Sequence, residues 1–448
     1  MEFKYLPDSH IQKEEDDFLN FKEASRLILK AIRSSKPPFT WGIYGDWGSG
    51  KTSLMTLIKN RMEEELLNPT NTPSNPLLIP VWFDAWRYEN EVNIIYPLFH
   101  RIRRDFFERC PEDKNNKDFL DSFKKVATAS LFGLTDLALR TATKAAFGEA
   151  LKLGDVKDSL TMVENELDPI FDKWTDQITE IRKAFESFVK EYVDTYRKRK
   201  LASHDGEIYL AIFIDDLDRC LPDVAIEILE RIKNHLISER CIFILGINRS
   251  IVYKSIRKKY GDLDIDGRQH LEKIVQNSVG VPQPSEKDII RFGIESLNKL
   301  VASPGHYNPS EYFEAFSKTL YETGFTNPRK IKRIMNHYLD FIRAHVVANK
   351  DIDRFHLPTV TRLIILREYY QDFYDLFREA DFKSFNSIAA YDGSDKARTD
   401  FLNKFGKKWE FLVPRFDRMK KIAKMEPGLN KQDYEYRQAI DELFGLED

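Results

Sequence analysis

Cysteine is scarce in this chain: three residues in 448, Cys110, Cys220 and Cys241, at no spacing that brackets a metal ion. A disulfide scaffold and a structural zinc site are both excluded, and three thiols of this kind fit a reducing compartment, the cytoplasm. Excess charge of either sign is missing as well. Lys+Arg number 69 against Asp+Glu 72, a formal net charge of −3. That counts against a surface that clamps nucleic acid over its whole extent and leaves local patches, YRKRK at 196–200 and the basic cluster at 326–333, for that role. The opening MEFKYLPDSH has no apolar core after a basic start, so no signal peptide is expected. Long apolar runs are also lacking. The best membrane candidate, residues 126–154, is uncharged only from Val126 to Thr135, before Asp136, Arg140, Lys144 and Glu149 interrupt it. A spanning helix needs about 20 largely apolar residues, so this segment reads as a small-residue amphipathic helix packed on other helices, and no transmembrane segment is expected. Internal repeats and low-complexity tracts are absent, as is a guanine-reading Asn-Lys-x-Asp clamp.

What remains is 42% hydrophobic and 31% charged, the composition of a globular chain long enough for two or three domains. Residues 12–34 carry apolar positions at helical spacing (Phe18, Leu19, Ala24, Leu27, Ile28, Ala31) and lead through SSKPP into the short strand FTWGIY. Further strand signals are LLIPVWF after a proline- and asparagine-rich loop, IYLAIFI at 208–214, CIFILGI at 241–247 and NSVGVP at 277–282. Helical segments separate them, as a parallel sheet with crossovers requires. The expected fold is an α/β core, residues 1–110 and 206–284, interrupted by a helical insertion at 111–205. A helical lid (285–348) and a C-terminal all-helical domain (349–448) follow. REYYQDFYDLF at 367–377 suits an interface or a helical core equally.

The chemistry is concentrated at strand ends. In GIYGDWGSGKTSL, Gly45-x-x-x-x-Gly50-Lys51-Thr52 follows a strand and opens a helix, the pattern of a phosphate loop. Gly45 and Gly50 allow backbone angles that a Cβ would forbid, so successive N–H groups from Gly45 through Asp46, Trp47, Gly48, Ser49 and on to Ser53 can converge on phosphate. The helix N-terminus adds favourable potential. Lys51 would reach the β- and γ-phosphates, and the Thr52 hydroxyl would bind Mg²⁺. FIDDLDRC then supplies Asp215, to hold Mg²⁺ through water, and Asp216, placed to polarise the attacking water. Asp218 and Arg219 suit either a local ion pair or a contact to a neighbouring subunit's nucleotide. Asn248, at the end of CIFILGIN, suits a γ-phosphate sensor if its strand lies between the other two, or a helix N-cap. In TNPRKIKRIMN, Arg329, Lys330, Lys332 and Arg333 crowd the start of a helix, against its dipole. Something anionic should compensate, a γ-phosphate reached by Arg329 or Arg333 or an acidic surface, unless the cations are simply solvated. VWFDAWRYENE after the second strand reads as an aromatic packing corner at the ligand-binding edge, where Asp84, Arg87 and Glu91 can contribute.

Together GIYGDWGSGKTSL, FDAWRYEN, FIDDLDRC, LEKIVQ at 271–276 and NPRKIKRIMN resemble the KAP family of P-loop NTPases from about residue 12 to about 345. The resemblance implies an ASCE-type core, related to AAA+ and STAND proteins, with a helical domain behind it. It implies Lys51 and Thr52 on phosphate and Mg²⁺, Asp215 and Asp216 as the acid pair, Asn248 at the sensor position where the family often has aspartate, and Arg329 as the lid arginine. Many members carry transmembrane helices in the insertion. Residues 111–205 are too polar for that, and the resemblance instead implies a bacterial anti-phage defence type of member. The expected activity is Mg-dependent ATP hydrolysis driving a regulatory switch read by a protein effector. The alternatives are a self-assembling homo-oligomer whose sites are completed by a neighbour's Arg219 or Arg268, and a nucleic-acid-dependent ATPase.

Overall fold

The computed structural model describes residues 5–69, 76–91, 94–132, 156–260, 266–298, 309–347 and 355–423, with 436, 438 and 439. Most of the 126–154 segment lies outside them. Among the described residues no helix is long and apolar enough to cross a membrane.

Five strands, β1 (Phe39–Tyr44), β2 (Leu77–Asp84), β3 (Ile208–Asp215), β4 (Cys241–Ile247) and β5 (Asn277–Gly280), form one sheet in the order β2-β3-β4-β1-β5. Every pairing is parallel. The near-continuous apolar sequences of β3 and β4 follow from this. With helices on both faces, a parallel strand has no solvent side to make polar, and all seven residues of β4 are buried. β4 lies between β1 and β3, so the strand carrying the acids is one removed from the strand feeding the glycine loop. All five carboxyl ends share one edge. There the register sets Asp84 opposite Asp215 and Tyr44 opposite Ile247.

The first helix is shorter than its periodicity suggests: α1 spans Phe21–Arg33. Asp17 accepts from Leu19 N–H at 3.1 Å and Asn20 has φ 63°, a left-handed residue that stops the helix from extending back to 12. α2 (Lys51–Leu67) leaves the glycine loop, and α3 (Ile95–Arg109) follows β2. The insertion contributes α4 (Lys117–Phe132) and the long α5 (Val156–Lys200). α6 (Pro222–Asn234), α7 (Arg249–Tyr260) and α8 (Gly267–Glu272) complete the α/β unit, Lys22–Val281.

The insertion is fastened to this unit by aromatics and by one buried ionic network. Phe106 of α3 lies 3.7 Å from Phe119 of α4 and 5.1 Å from Tyr192 of α5, ring centre to ring centre. Arg109, at the end of α3, donates to both Glu63 oxygens at 2.7 Å, to Asp105 at 2.7 Å and to the Pro80 carbonyl at 2.8 Å. Tyr192 donates to the same Asp105 at 2.6 Å. One guanidinium thereby satisfies α2, α3 and β2, and through Asp105 reaches α5.

The second unit, residues 1–21 with 282–448, is helical. It contains α9 (Glu286–Asn298), α10 (Pro309–Glu322), α11 (Pro328–Val347), α12 (Leu357–Tyr369), α13 (Gln371–Ala389), α14 (Asp395–Phe405) and α15 (Phe416–Ala423). The first 21 residues thus group with the C-terminal helices, not with the core half they precede. REYYQDFYDLF is core: Phe373, Tyr374, Leu376 and Phe377 are fully buried, with Phe377 stacked 5.4 Å from Phe385. The crowded basic start of α11 is compensated from within its own unit. Asp8 accepts from Arg329 at 2.9 Å, and the Pro7 and Ser9 carbonyls accept from Lys332 at 3.2 and 2.8 Å. Asn336 exchanges two hydrogen bonds with the Leu6 backbone.

The network at Arg109 sets an unequal pair of costs. Arg109→Ala takes the guanidinium from the buried Asp105 and the half-buried Glu63 and should lower unfolding free energy by about 3 kcal/mol. Tyr192→Phe loses one hydrogen bond and should cost about 1 kcal/mol. Urea titrations of both variants check this, and equal small losses would assign the fastening to the aromatics alone.

Candidate nucleotide site

β1 ends at Tyr44 and the chain turns through Gly45–Gly50 into α2. Gly48 and Gly50 have φ 77° and 102°, angles at which a side chain is strained. Gly45 is required for a different reason. A Cβ there would stand 2.3 Å from the Ser49 hydroxyl and 3.0 Å from Val281, so its role is space and not dihedral freedom. The loop is pinned to the central strand by Gly45 N–H on the Ile247 carbonyl at 3.2 Å and closed by Ser49 N–H on Asp46 at 3.1 Å. The Ser49 Oγ is buried with no partner among the described residues, a polar atom turned into the cradle. Trp47 stands out from the loop, 63% exposed.

Lys51 is folded back over the loop. Its ammonium donates to the Gly45 carbonyl at 2.9 Å, to the Asp46 carbonyl at 3.3 Å and to Asp218 at 3.0 Å, which accounts for its three protons. Both members of the ion pair are nearly dry, with side chains 7% and 4% exposed. Asp218 is therefore the counter-charge of a lysine 167 positions away, and Arg219 pairs locally with Asp216 instead.

Thr52 donates to Asp215 Oδ2 at 2.7 Å. The other oxygen of Asp215, Oδ1, is buried with no partner among the described residues, and burial raises its carboxyl above the usual range despite the Thr52 hydrogen bond. A Cβ on Gly246 would meet that same Oδ1 at 2.8 Å. The glycine inside β4 keeps the space beside this oxygen open. A threonine hydroxyl, a carboxylate and an orphaned buried oxygen facing open space fit a hard cation with oxygen ligands, and Thr52 and Asp215 are the residues that would hold Mg²⁺.

Asp216 has φ 58°, an unusual conformation for a residue other than glycine and a form of local strain. It pairs with Arg219 at 2.8 Å, and that guanidinium lies 5.2 Å from the centre of the Trp86 ring. Burial, then the neighbouring Asp215 charge, push the Asp216 carboxyl up to about 6. Asp84, opposite Asp215 in the sheet, adds to that push, with one oxygen paired to Arg87 at 2.7 Å and the other buried with no partner among the described residues. The FDAWRYEN turn is accordingly both things its composition suggested. It is a packing corner, with Phe83 stacked 5.2 Å from Tyr88 and Trp82 5.6 Å from Phe213, and it delivers a carboxylate to the site. Glu89 ties it to the acid strand by accepting from Leu221 N–H at 3.2 Å.

Asn248 stands at the end of β4, next to the loop. Its Oδ1 accepts from Ser250 N–H, Ser250 Oγ and Ile251 N–H at 3.1, 2.7 and 3.3 Å, so it caps α7 and has only its Nδ2 to offer a nucleotide. Arg329 lies in the other unit, on Asp8. Arg268, named for a neighbour's site, pairs with Glu272 one turn along its own helix. Of the run YRKRK, Arg199 holds Asp113, Lys200 holds Glu112 and Arg197 donates to the His204 and Gly206 carbonyls, so most of that basic patch is consumed inside the chain. Cys220, beside the site, is buried and its thiol is pushed up to about 12, which leaves it unreactive.

A glycine loop that opens a helix, a lysine and threonine at its end, and an acid pair on a strand once removed define a P-loop NTPase of the division with an inserted central strand. The chain belongs to the KAP family: the model of the KAP family P-loop domain matches residues 21–344. A relative from Methanocaldococcus jannaschii, an uncharacterized protein, is 24% identical over 156 residues, 34% of this chain and 80% of its own length. The solved structures of the Aeropyrum pernix ORC2 protein, in ADPNP–ADP complexes and in the ADP form, are each 12% identical, with TM-scores of 0.37 and 0.36. They cover 99% and 98% of this chain and 89% and 87% of theirs. Scores that low carry no inference about this chain.

The raised Asp216 carboxyl has a thermodynamic signature. Unfolded, the group titrates near about 3.9, so between roughly pH 4 and 6 the folded protein holds a proton that the unfolded chain releases. The stability from this group is full below that window and is lost as pH rises through it. Asp216→Asn removes the buried charge, and asparagine tolerates the left-handed backbone. The nucleotide-free variant should be more stable than the parent by roughly 2 kcal/mol at neutral pH, with the gap closing near pH 4. Thermal unfolding at the two pH values checks this, and a pH-independent gap would contradict it.

Proposed function

We propose that this protein is an Mg²⁺-dependent ATPase that works as a self-contained regulatory switch. The observation that carries the reading is the pairing of Thr52 with Asp215, whose second oxygen is buried, unpartnered and faces space kept by Gly246. Magnesium, when bound there, supplies charge neutralisation for the β- and γ-phosphates. The chain's own residues supply the rest. The loop amides, with Gly48 and Gly50 in left-handed conformation, bind and orient the phosphates. Lys51 exchanges one of its three acceptors, the Asp218 oxygen, for a phosphate oxygen. Asp216, ionised at neutral pH, accepts the proton of a water at its carboxylate, with Arg219 and Trp86 fixing where that carboxylate points. Asn248 contributes its Nδ2 as the sensor of the γ-phosphate while its Oδ1 keeps α7 capped.

Arg329 takes the lid-arginine role in this reading, and engaging nucleotide would cost it Asp8. Two compact units, one with the phosphate loop and the acid pair and one helical, support a switch whose nucleotide state is read through helices by a protein partner. The role in anti-phage defence and the cytoplasmic setting are part of the same proposal and rest on family likeness and composition. The pairing of Arg219 and Arg268 within the chain weighs against a site completed by a neighbour, and the consumption of the 196–200 and 329–332 basic residues weighs against a nucleic-acid-dependent enzyme.

ATP turnover per subunit, measured across a wide range of protein concentration with Asp216→Asn as the blank, tests this. A slow rate that does not change with concentration, and that falls by at least about 100-fold in the variant, is expected. A specific rate that climbs with concentration would overturn the self-contained site in favour of an assembly.

A further inference from the structure

α3 carries four arginines, and three of them have carboxylates. Arg101 faces Asp105 and Glu108 at 3.6 and 3.4 Å, Arg104 holds Glu108 at 2.8 Å and Arg109 holds Glu63 and Asp105. Arg103 has none among the described residues. Its guanidinium is stacked instead against two rings, 4.8 Å from the centre of Phe123 and 5.3 Å from that of Phe107, and its Nε is shut away from water with no acceptor. Holding a guanidinium against two rings costs side-chain entropy and strips part of its hydration. Such an arrangement is stabilised when an anion sits at the free edge of the fork.

Arg103 opens onto a cavity of about 480 Å³ that His100, Arg104 and Lys114 also line. Lys114 likewise has no carboxylate partner among the described residues. The cavity's one acid, Glu108, is shared between Arg101 and Arg104. Three permanent cations and an imidazole thus converge on a cavity containing one committed carboxylate, in a protein whose net charge is −3.

We propose that this cavity, formed by α3 and the turn before α4, binds a small phosphorylated molecule, with Arg103 and Lys114 as its principal phosphate contacts. A volume of this order is that of a small-ligand pocket. A compact head with two or more negative charges matches the surplus of cations better than a single carboxylate does. A nucleic-acid strand is disfavoured because it needs a continuous basic track. The neighbouring basic residues Arg199 and Lys200 are already committed to Asp113 and Glu112. The site is independent of the phosphate loop and of the function proposed for it.

Hydrogen exchange of the full chain, with inorganic tripolyphosphate as the probe, separates the two locations because they fall in different peptides. In millimolar tripolyphosphate without divalent metal, the segment 97–114 should gain protection in the parent protein. That protection should require about tenfold more probe in both Arg103→Gln and Lys114→Gln, while protection at 45–58 stays as in the parent. Lys114 is exposed, so its variant leaves packing intact even if the Arg103 variant disturbs the stacked rings. Exchange at 97–114 that the probe does not change would overturn the proposal, as would protection that persists undiminished in both variants.

Discussion

One lysine stands against a corner of carboxylates, and the rest of the site is arranged around that imbalance. The parallel register brings Asp84 beside Asp215, and the turn after β3 adds Asp216 and Asp218 within the next three residues. Burial raises the carboxyls of both Asp215 and Asp216, and neighbouring charge adds to it, from Asp218 at Asp215 and from Asp215, Asp84 and Asp218 at Asp216. Lys51 neutralises Asp218, Arg219 neutralises Asp216 and Arg87 reaches Asp84. Asp215 alone is left with a hydroxyl in place of a cation. The deficit lies where a bound metal ion would correct it, so the cost of assembling these acids is offset when nucleotide arrives with its metal.

The same use of charge recurs away from the site. Arg109 fastens the insertion by satisfying two acids from two helices, and the segment Pro7–Ser9 fastens α11 by supplying an acid and two carbonyls to cations that oppose the helix dipole. At α11 the cations held inside the chain, Arg329 and Lys332, belong to the cluster that the sequence offered to an outside anion. Arg103 departs from this pattern, lying over two rings with no carboxylate partner among the described residues.

Much of this was legible in the sequence because it is local. The glycine loop, its helix and the acids at the end of an apolar strand are contiguous patterns, and the structure has them at the edge where β1, β3 and β4 finish. The central position of β4, conditional on sequence grounds, follows from the pairing of its residues with both neighbours. What sequence did not reveal is non-local pairing. Nothing near Lys51 says that Asp218, 167 positions on, holds it, or that Asp8 waits for Arg329 across 321. Gly246 was the missed local clue: a glycine inside a buried strand marks a close approach, and the approaching atom is Asp215 Oδ1. Asn248 was legible in kind but not in priority. A residue followed by Arg-Ser at a strand-to-helix junction has its oxygen claimed by the helix first. The early start expected for α1 failed at Asn20, where a single left-handed residue outweighs good periodicity on either side.

The central claim is that Lys51 rests on Asp218 and gives up that carboxylate to bind phosphate. Equilibrium binding of ATP with Mg²⁺ to Asp218→Asn, against the parent protein, tests it most directly. Removing the competing charge while keeping a hydrogen-bond acceptor should tighten binding by about three- to tenfold, the scale of one hydrogen bond. Affinity that is unchanged or weakened would mean that the lysine is not held in reserve by Asp218, and the charge imbalance would need another resolution.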